Sequence, residues 1–241
     1  MAGAVIIGAG PGIGRAVARR FAREGLPVGL VARNEGALRD EARAVASGGA
    51  DVVARPADAT DEVALRAALD EIAGKHGAPD VVVYNAALIR PDGPGDLSVQ
   101  GHMEAWAVNV AGAVIAAAHV APAMAERGRG TFLITGGMPE PKRQYVSLSL
   151  GKAGVRTLVE LLHQEYGPSG VHVASVTVAG TVAPGTDFDP DDIAEHYWRL
   201  HTQERDEWER EAYHGPLEPA GTSEKGGCGP GEQFGQPQAR F

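Results

Sequence analysis

The chain has 241 residues, 31 acidic against 22 basic side chains for a formal charge of −9 at pH 7, and 44% hydrophobic residues. That size fits one large domain or two small ones with a real core, which excludes a disordered chain, and the acidic balance speaks against nucleic acid as a partner. No unbroken apolar run approaches the ~18 residues that cross a bilayer, so no membrane contact is expected, and the single Cys228 excludes an internal disulfide or cysteine metal site and points to a reducing cytoplasm.

The opening MAGAVIIGAGPGIG has no basic segment before its apolar stretch and reads as a first strand at residues 5–7, not a signal peptide. From Ile13 the spacing becomes helical, with Ile13, Val17 and Phe21 on one face until Gly25 and Pro27. Residues 28–31 are a second strand, 37–46 a helix and 51–54 a third strand. A helix over 61–75 follows, with Val63, Leu65, Leu69 and Ile72 as its apolar residues. Residues 81–83 are all valine, as in a parallel sheet covered on both faces. Met103, Trp106, Val110, Val114, Ala117 and Val120 predict one helix over 103–126. A strand at 132–134, a helix carrying Val155, Leu158, Val159 and Leu162, and a strand at 171–178 come next. Asp189 or Asp191 is placed to cap a further helix. Beyond Gly215 the chain turns rich in Gly, Pro and Gln, so residues 215–241, Cys228 among them, are expected to form a flexible tail. The alternation predicts an α/β fold: a Rossmann-like doubly wound parallel sheet, a single domain over 1–214, with ligands at the carboxyl ends of its strands.

The turn after the first strand is Gly8-Ala9-Gly10-Pro11-Gly12-Ile13-Gly14. Glycines let the backbone turn tightly and approach a pyrophosphate, and the N–H groups at the helix start then face the anion. Gly8, Gly10, Gly12, Ile13 and Gly14 are therefore candidate cofactor-binding residues. An acidic residue at the end of the second strand would select NAD; this chain has Ala32 and then Arg33. A guanidinium grips a 2′-phosphate bidentately, so NADP (NADPH) is favoured over NAD, with Arg15 as a second positive charge.

The spacing Gly8-xxx-Gly12-x-Gly14 resembles the short-chain dehydrogenase/reductase family, whose loop reads TGxxxGIG, with Ile7 here at the Thr. Further landmarks follow in the family's order over roughly residues 1–200: Ala57-Asp58-Ala59-Thr60, Asn85-Ala86-Ala87, Asn109, Lys152 and Ala179-Gly180-Thr181-Val182. The resemblance implies that Asp58, beside Ala59, meets the adenine amine and that Asn85 and Ala86 form the family's NAG segment. It further implies a structural and proton-relay role for Asn109, the nicotinamide ribose on Lys152, and the carboxamide at Val182. A small carbonyl or alcohol substrate and a homodimer or homotetramer, joined through the helices at 103–126 and 149–166, are implied as well.

The family's proton donor is a Tyr four residues before the Lys, and here that position is Leu148; the family's Ser position is Gly137. Leucine cannot donate a proton. Tyr145 lies seven residues before Lys152, roughly 10 Å along a helix instead of ~6 Å, and Thr135 is the candidate to orient a substrate oxygen. Ser147 and Ser149 read as helix caps. Residues 187–198 stand at the family's substrate lid, and His196 and His201 lack partners at metal spacing, so no metal is expected. Two classes follow. One is a divergent NADP(H)-dependent oxidoreductase that takes its proton from Tyr145, water or the substrate. The other is a non-catalytic NADP(H)-binding protein or a non-redox enzyme such as a cyclase, isomerase or dehydratase.

Overall fold

A computed structural model describes residues 3–216, so nearly all of the expected tail, with Cys228, lies outside the described residues. Seven strands form one parallel sheet in the order β3-β2-β1-β4-β5-β6-β7: β1 (Ala4–Ile7), β2 (Val28–Ala32), β3 (Val52–Pro56), β4 (Val81–Tyr84), β5 (Gly130–Thr135), β6 (Val171–Val178) and β7 (Glu211–His214). The helices are α1 (Ile13–Arg23), α2 (Glu35–Ala46), α3 (Glu62–His76), α4 (Val99–Trp106), α5 (Gly112–Glu126), α6 (Val146–Tyr166) and α7 (Pro190–Thr202). The expected doubly wound α/β sheet is the one observed. β1 pairs with both β2 and β4, so chain order reverses beside it and a crevice opens at the carboxyl ends of β1 and β4. β1, β4 and β6 are buried along their whole length, because one apolar layer (Leu65, Ile72, Phe132, Val155) covers one face and another (Val17, Phe21, Ile193, Leu200) the other.

Four elements depart from expectation. Val63 is 79% exposed, because the buried stripe of α3 runs through Leu65, Ala68, Leu69 and Ile72. β7 was not foreseen: Glu-Ala-Tyr-His is short and polar, and it is a strand because β6 offers an open edge, Val178 pairing with His214.

The helix expected at 103–126 begins at Val99 and contains one wide turn, Ala107–Ala111. There the Tyr84 hydroxyl takes the Val108 carbonyl at 2.6 Å, and the Gly112 N–H reaches back five residues to Ala107. A Cβ on Gly112 would lie 2.1 Å from the Tyr84 oxygen, so only glycine fits. The 28 residues Val99–Glu126 are long and apolar enough by length and composition to cross a membrane, which corrects the expectation that no such stretch exists. Polar residues such as His102, Glu104 and Asn109 break the run in the sequence. Half of its most apolar window is buried within the fold, as in a core helix.

The segment expected to be a lid is, from Pro190 onward, a core helix. Ile193, Tyr197 and Leu200 are fully buried, the Trp198 ring meets Phe21 of α1 edge-on at 5.6 Å, and Arg20 lies 4.8 Å over that ring. Apolar residues at positions i, i+4 and i+7 bind α7 to α1 and the sheet, away from the crevice. Asp189 caps it, accepting from the Asp191 N–H at 2.8 Å.

Candidate active site

A cleft of about 880 Å³ occupies the crevice. Its floor is the turn from β1 to α1. Gly8 has φ +90°, and a Cβ there would lie 2.4 Å from the Ala86 nitrogen; a Cβ on Gly14 would lie 2.6 Å from the Gly8 oxygen. These two glycines allow backbone to pack on backbone. Gly8, Gly10 and Ile13 line the cleft, whereas Gly12 and Gly14 do not. Asn34, Asp61, Ser98 and Asp189 cap their helices, but among the described residues no side chain caps α1; the Arg15 N–H turns back to the Gly10 carbonyl at 2.9 Å, which leaves the Ile13 and Gly14 N–H groups for an anion.

One end of the cleft is lined by Ala32, Arg33, Asn34, Asp58 and Ala59. Arg33 is exposed and has no acidic partner among the described residues. Arg15 does not join it. Buried Glu41 binds the Arg15 guanidinium bidentately, at 2.5 and 2.7 Å, which corrects the expectation of a second free charge for the cofactor. Asp58 accepts from the Thr60 N–H and hydroxyl at 2.9 and 2.8 Å, which fixes its carboxylate at the wall.

The other end brings together Thr135, Gly137, Tyr145, Leu148, Lys152 and Val182, with Asn85 and Ala86 between the two. Lys152 is buried on α6 and donates to the Thr135 carbonyl at 2.6 Å; burial lowers its amine from 10.5 to about 8. Leu148, one turn earlier on the same helix face, is 3% exposed. Gly137 sits opposite with φ +149°, where a Cβ would be 3.8 Å from the Lys152 Cε. Tyr145 stands at the head of α6, half-buried. Arg156, one turn beyond Lys152, donates to the carbonyls of Gly137 and Met138, both at 3.2 Å. It holds a loop in which Met138, not glycine, takes φ +47°, a conformation that costs roughly 1–3 kcal/mol.

Three features differ from the sequence expectations. Asn109 does not reach the wall: its carboxamide is spent on Leu88, accepting from the N–H at 2.9 Å and donating to the carbonyl at 3.3 Å. The Thr135 hydroxyl is bonded to Asn85 at 2.8 Å and to Tyr197 at 2.7 Å. The serines do not cap α6. Buried Asp92 does, accepting from the Ser147 N–H at 2.9 Å and its hydroxyl at 3.1 Å, while Ser149 Oγ accepts from the Lys142 N–H at 3.0 Å. Asp92 is 55 residues from its partner, so no local signal marks it. His196 pairs with His214 at 3.0 Å and His201 with Thr131 at 2.9 Å; among the described residues no three ligand side chains gather as for a metal.

A family model described as short chain dehydrogenase matches residues 2–192. A glucose 1-dehydrogenase of Gluconobacter oxydans is 32% identical over 186 residues, 75% of this chain and 69% of that protein. The probable oxidoreductase EphD of Mycobacterium tuberculosis is 29% identical over 195 residues, 76% of this chain, which spans only 33% of that longer relative. The crystal structure of a metagenomic short-chain oxidoreductase in complex with NADP aligns with a TM-score of 0.80 at 27% identity, covering 88% of this chain and 96% of that one.

The buried amine has a consequence for stability. An unfolded lysine keeps its proton up to about 10.5, and Lys152 loses it near 8, so the unfolded chain holds more protons across that window. Stability from this group therefore rises as pH climbs from about 8 to 10.5. Lys152→Met lacks that rise: its stability relative to wild type should be highest at pH 7 and fall by pH 10.5 in urea unfolding. A difference that stays constant across the window would contradict the assignment.

Proposed function

The chain belongs to the short-chain dehydrogenase family, and from that premise we propose that it is a divergent NADP(H)-dependent oxidoreductase acting on a small carbonyl or alcohol substrate. The carrying observation is one continuous cleft that joins an uncapped helix start, an unpartnered arginine and a buried lysine amine. The glycine turn, with Gly8, Gly10, Gly12, Ile13 and Gly14, holds the pyrophosphate. Arg33 beside Ala32 grips the 2′-phosphate, and the metagenomic relative that aligns with this chain is in complex with NADP. Asp58 and Ala59 flank the adenine, Asn85 and Ala86 shape the middle of the cleft, Lys152 holds the nicotinamide ribose and Val182 meets the carboxamide. When bound, the reduced coenzyme supplies the hydride for a carbonyl carbon.

The chain's own residues must then deliver a proton to the carbonyl oxygen. Leu148 and Gly137 carry none, and the Thr135 hydroxyl is occupied by Asn85 and Tyr197. Tyr145 on the wall, water admitted beside Lys152, or the substrate itself remains as the source. Asn109 works at one remove by fixing the Leu88 segment. The same poverty of proton donors favours the second reading, an NADP(H)-binding protein without redox chemistry, or a non-redox cyclase, isomerase or dehydratase. The cytoplasm is the compartment that suits either reading, with no role for nucleic acid or membrane.

Assembly into a homodimer or homotetramer is part of the proposal. Val99, Met103 and Trp106 on α4, Val114 on α5, and Leu150 and Leu161 on α6 are exposed large apolar side chains that a second copy would cover.

Three measurements test these statements. In fluorescence titrations Arg33→Ala should weaken NADPH by roughly tenfold or more and leave NADH within twofold, as expected for a lost charge-assisted bidentate contact; equal losses for both coenzymes would refute the phosphate role. Across a panel of ketones and aldehydes the wild type should oxidise NADPH, and Tyr145→Phe should lower kcat by roughly 10²–10⁴ without changing coenzyme affinity. No turnover despite NADPH binding would shift the conclusion to the second reading. Sedimentation should find a dimer or tetramer at micromolar concentration, and a monomer would refute the interface.

A further inference from the structure

The polar groups along the carboxyl edge of the sheet are ordered in one direction. The Gly8 carbonyl can only accept, so the Asn85 atom 2.9 Å from it is the amide Nδ2, and Oδ1 faces the other way. Thr135 Oγ1 lies 2.8 Å from that Oδ1, again a pure acceptor, so the single hydroxyl proton of Thr135 goes to Asn85. The contact of 2.7 Å between Thr135 Oγ1 and the Tyr197 hydroxyl then has one possible donor, Tyr197. The chain runs Tyr197 to Thr135 to Asn85 to Gly8, from α7 across β5 and β4 to the turn after β1.

Its far end is the functional one. A Cβ on Gly14 would stand 2.6 Å from the Gly8 oxygen, so the start of α1 rests directly on the carbonyl that Asn85 holds. No residue of α7 lines the cleft. Tyr197 is fully buried, and burial raises its phenol pKa, so it keeps its proton and remains a donor at neutral pH.

We propose that Tyr197 is a positioning residue of the coenzyme site: by donating to Thr135 it locks the Asn85 carboxamide, and through it the Gly8 carbonyl and the helix start that faces the pyrophosphate. This rests on the glycine turn being the coenzyme site. Without the Tyr197 hydroxyl, the Thr135 lone pair is left unpaired in a buried place and the hydroxyl loses the partner that sets its rotamer. The flipped Asn85 is then opposed only by the repulsion between its oxygen and the Gly8 oxygen, and no longer by a fixed Thr135 donor.

The test is coenzyme affinity of the full-length protein, measured by fluorescence titration with NADPH and with no substrate present. Tyr197→Phe keeps the ring and removes only the donor; its Kd should rise about three- to tenfold, the size of one lost buried hydrogen bond. Thr131→Val is the control. It removes the other side-chain bond between β5 and α7, Thr131 to His201 at 2.9 Å, at the amino end of β5 and outside the cleft wall. It should lower the melting temperature comparably yet leave Kd within twofold. Thr135→Val should weaken binding as Tyr197→Phe does, and Thr135→Ser, which keeps the hydroxyl, should restore it; this pair decides the matter if Tyr197→Phe does not fold. Equal Kd values for Tyr197→Phe, Thr131→Val and wild type would overturn the proposal and leave the coenzyme site standing. A wild type that binds neither NADPH nor NADH would overturn both.

Discussion

The contact between the first turn and the end of β4 governs this molecule. Gly8 leaves β1 with φ +90° and lies so close to Ala86 that no side chain fits, and Gly14 in turn lies against the Gly8 carbonyl. Backbone packed on backbone at two successive points fixes where α1 begins and where its free N–H groups aim. Asn85, one residue past β4, secures the same carbonyl from the side. The crevice exists because β1 has β2 on one side and β4 on the other; the site exists because nothing protrudes into it at the turn.

The two ends of the cleft are held by different means. At the Arg33 end the wall is strand end and helix start, with few long-range polar bonds beyond the Arg15–Glu41 pair that removes one positive charge from competition. At the Lys152 end the wall is a set of loops tied down from a distance: Asp92 at the head of α6, Arg156 on the loop after β5, and the Asn109 carboxamide on Leu88. The wide turn at Ala107–Ala111 belongs to the same set, since the Tyr84 hydroxyl displaces a helical hydrogen bond just where Asn109 must meet Leu88. Such restraints rigidify a wall on which Leu148 and Gly137 offer no polar side chain.

The two halves of the cleft differ in chemistry: the glycine turn and Arg33 present N–H groups and a cation, whereas the far wall presents Leu148, Gly137 and the buried Lys152 amine. The buried Lys152 amine is costly to the fold, because among the described residues its charge has one carbonyl partner and no counter-ion.

The local sequence was enough to define most of the alternating strands and helices, the parallel sheet and the glycine turn, because those features follow from local spacing: Ile13, Val17 and Phe21 must share a helix face wherever the helix lies, and the all-valine run 81–83 in β4 must be covered on both sides. Arg33 was placed by its position after the second strand and Asp58, Leu148 and Lys152 by the family resemblance, and all four line the one cleft. Tertiary contact alone decided the rest. Glu41, Asp92 and Tyr197 act on partners 26, 55 and 62 residues away, so their roles appear only when the sheet brings those segments together. Likewise β7 is a strand only because β6 has an open edge, and α7 is core and not lid because the α1 face was there to receive it. Local spacing records which way a side chain points; what it meets there depends on the whole chain.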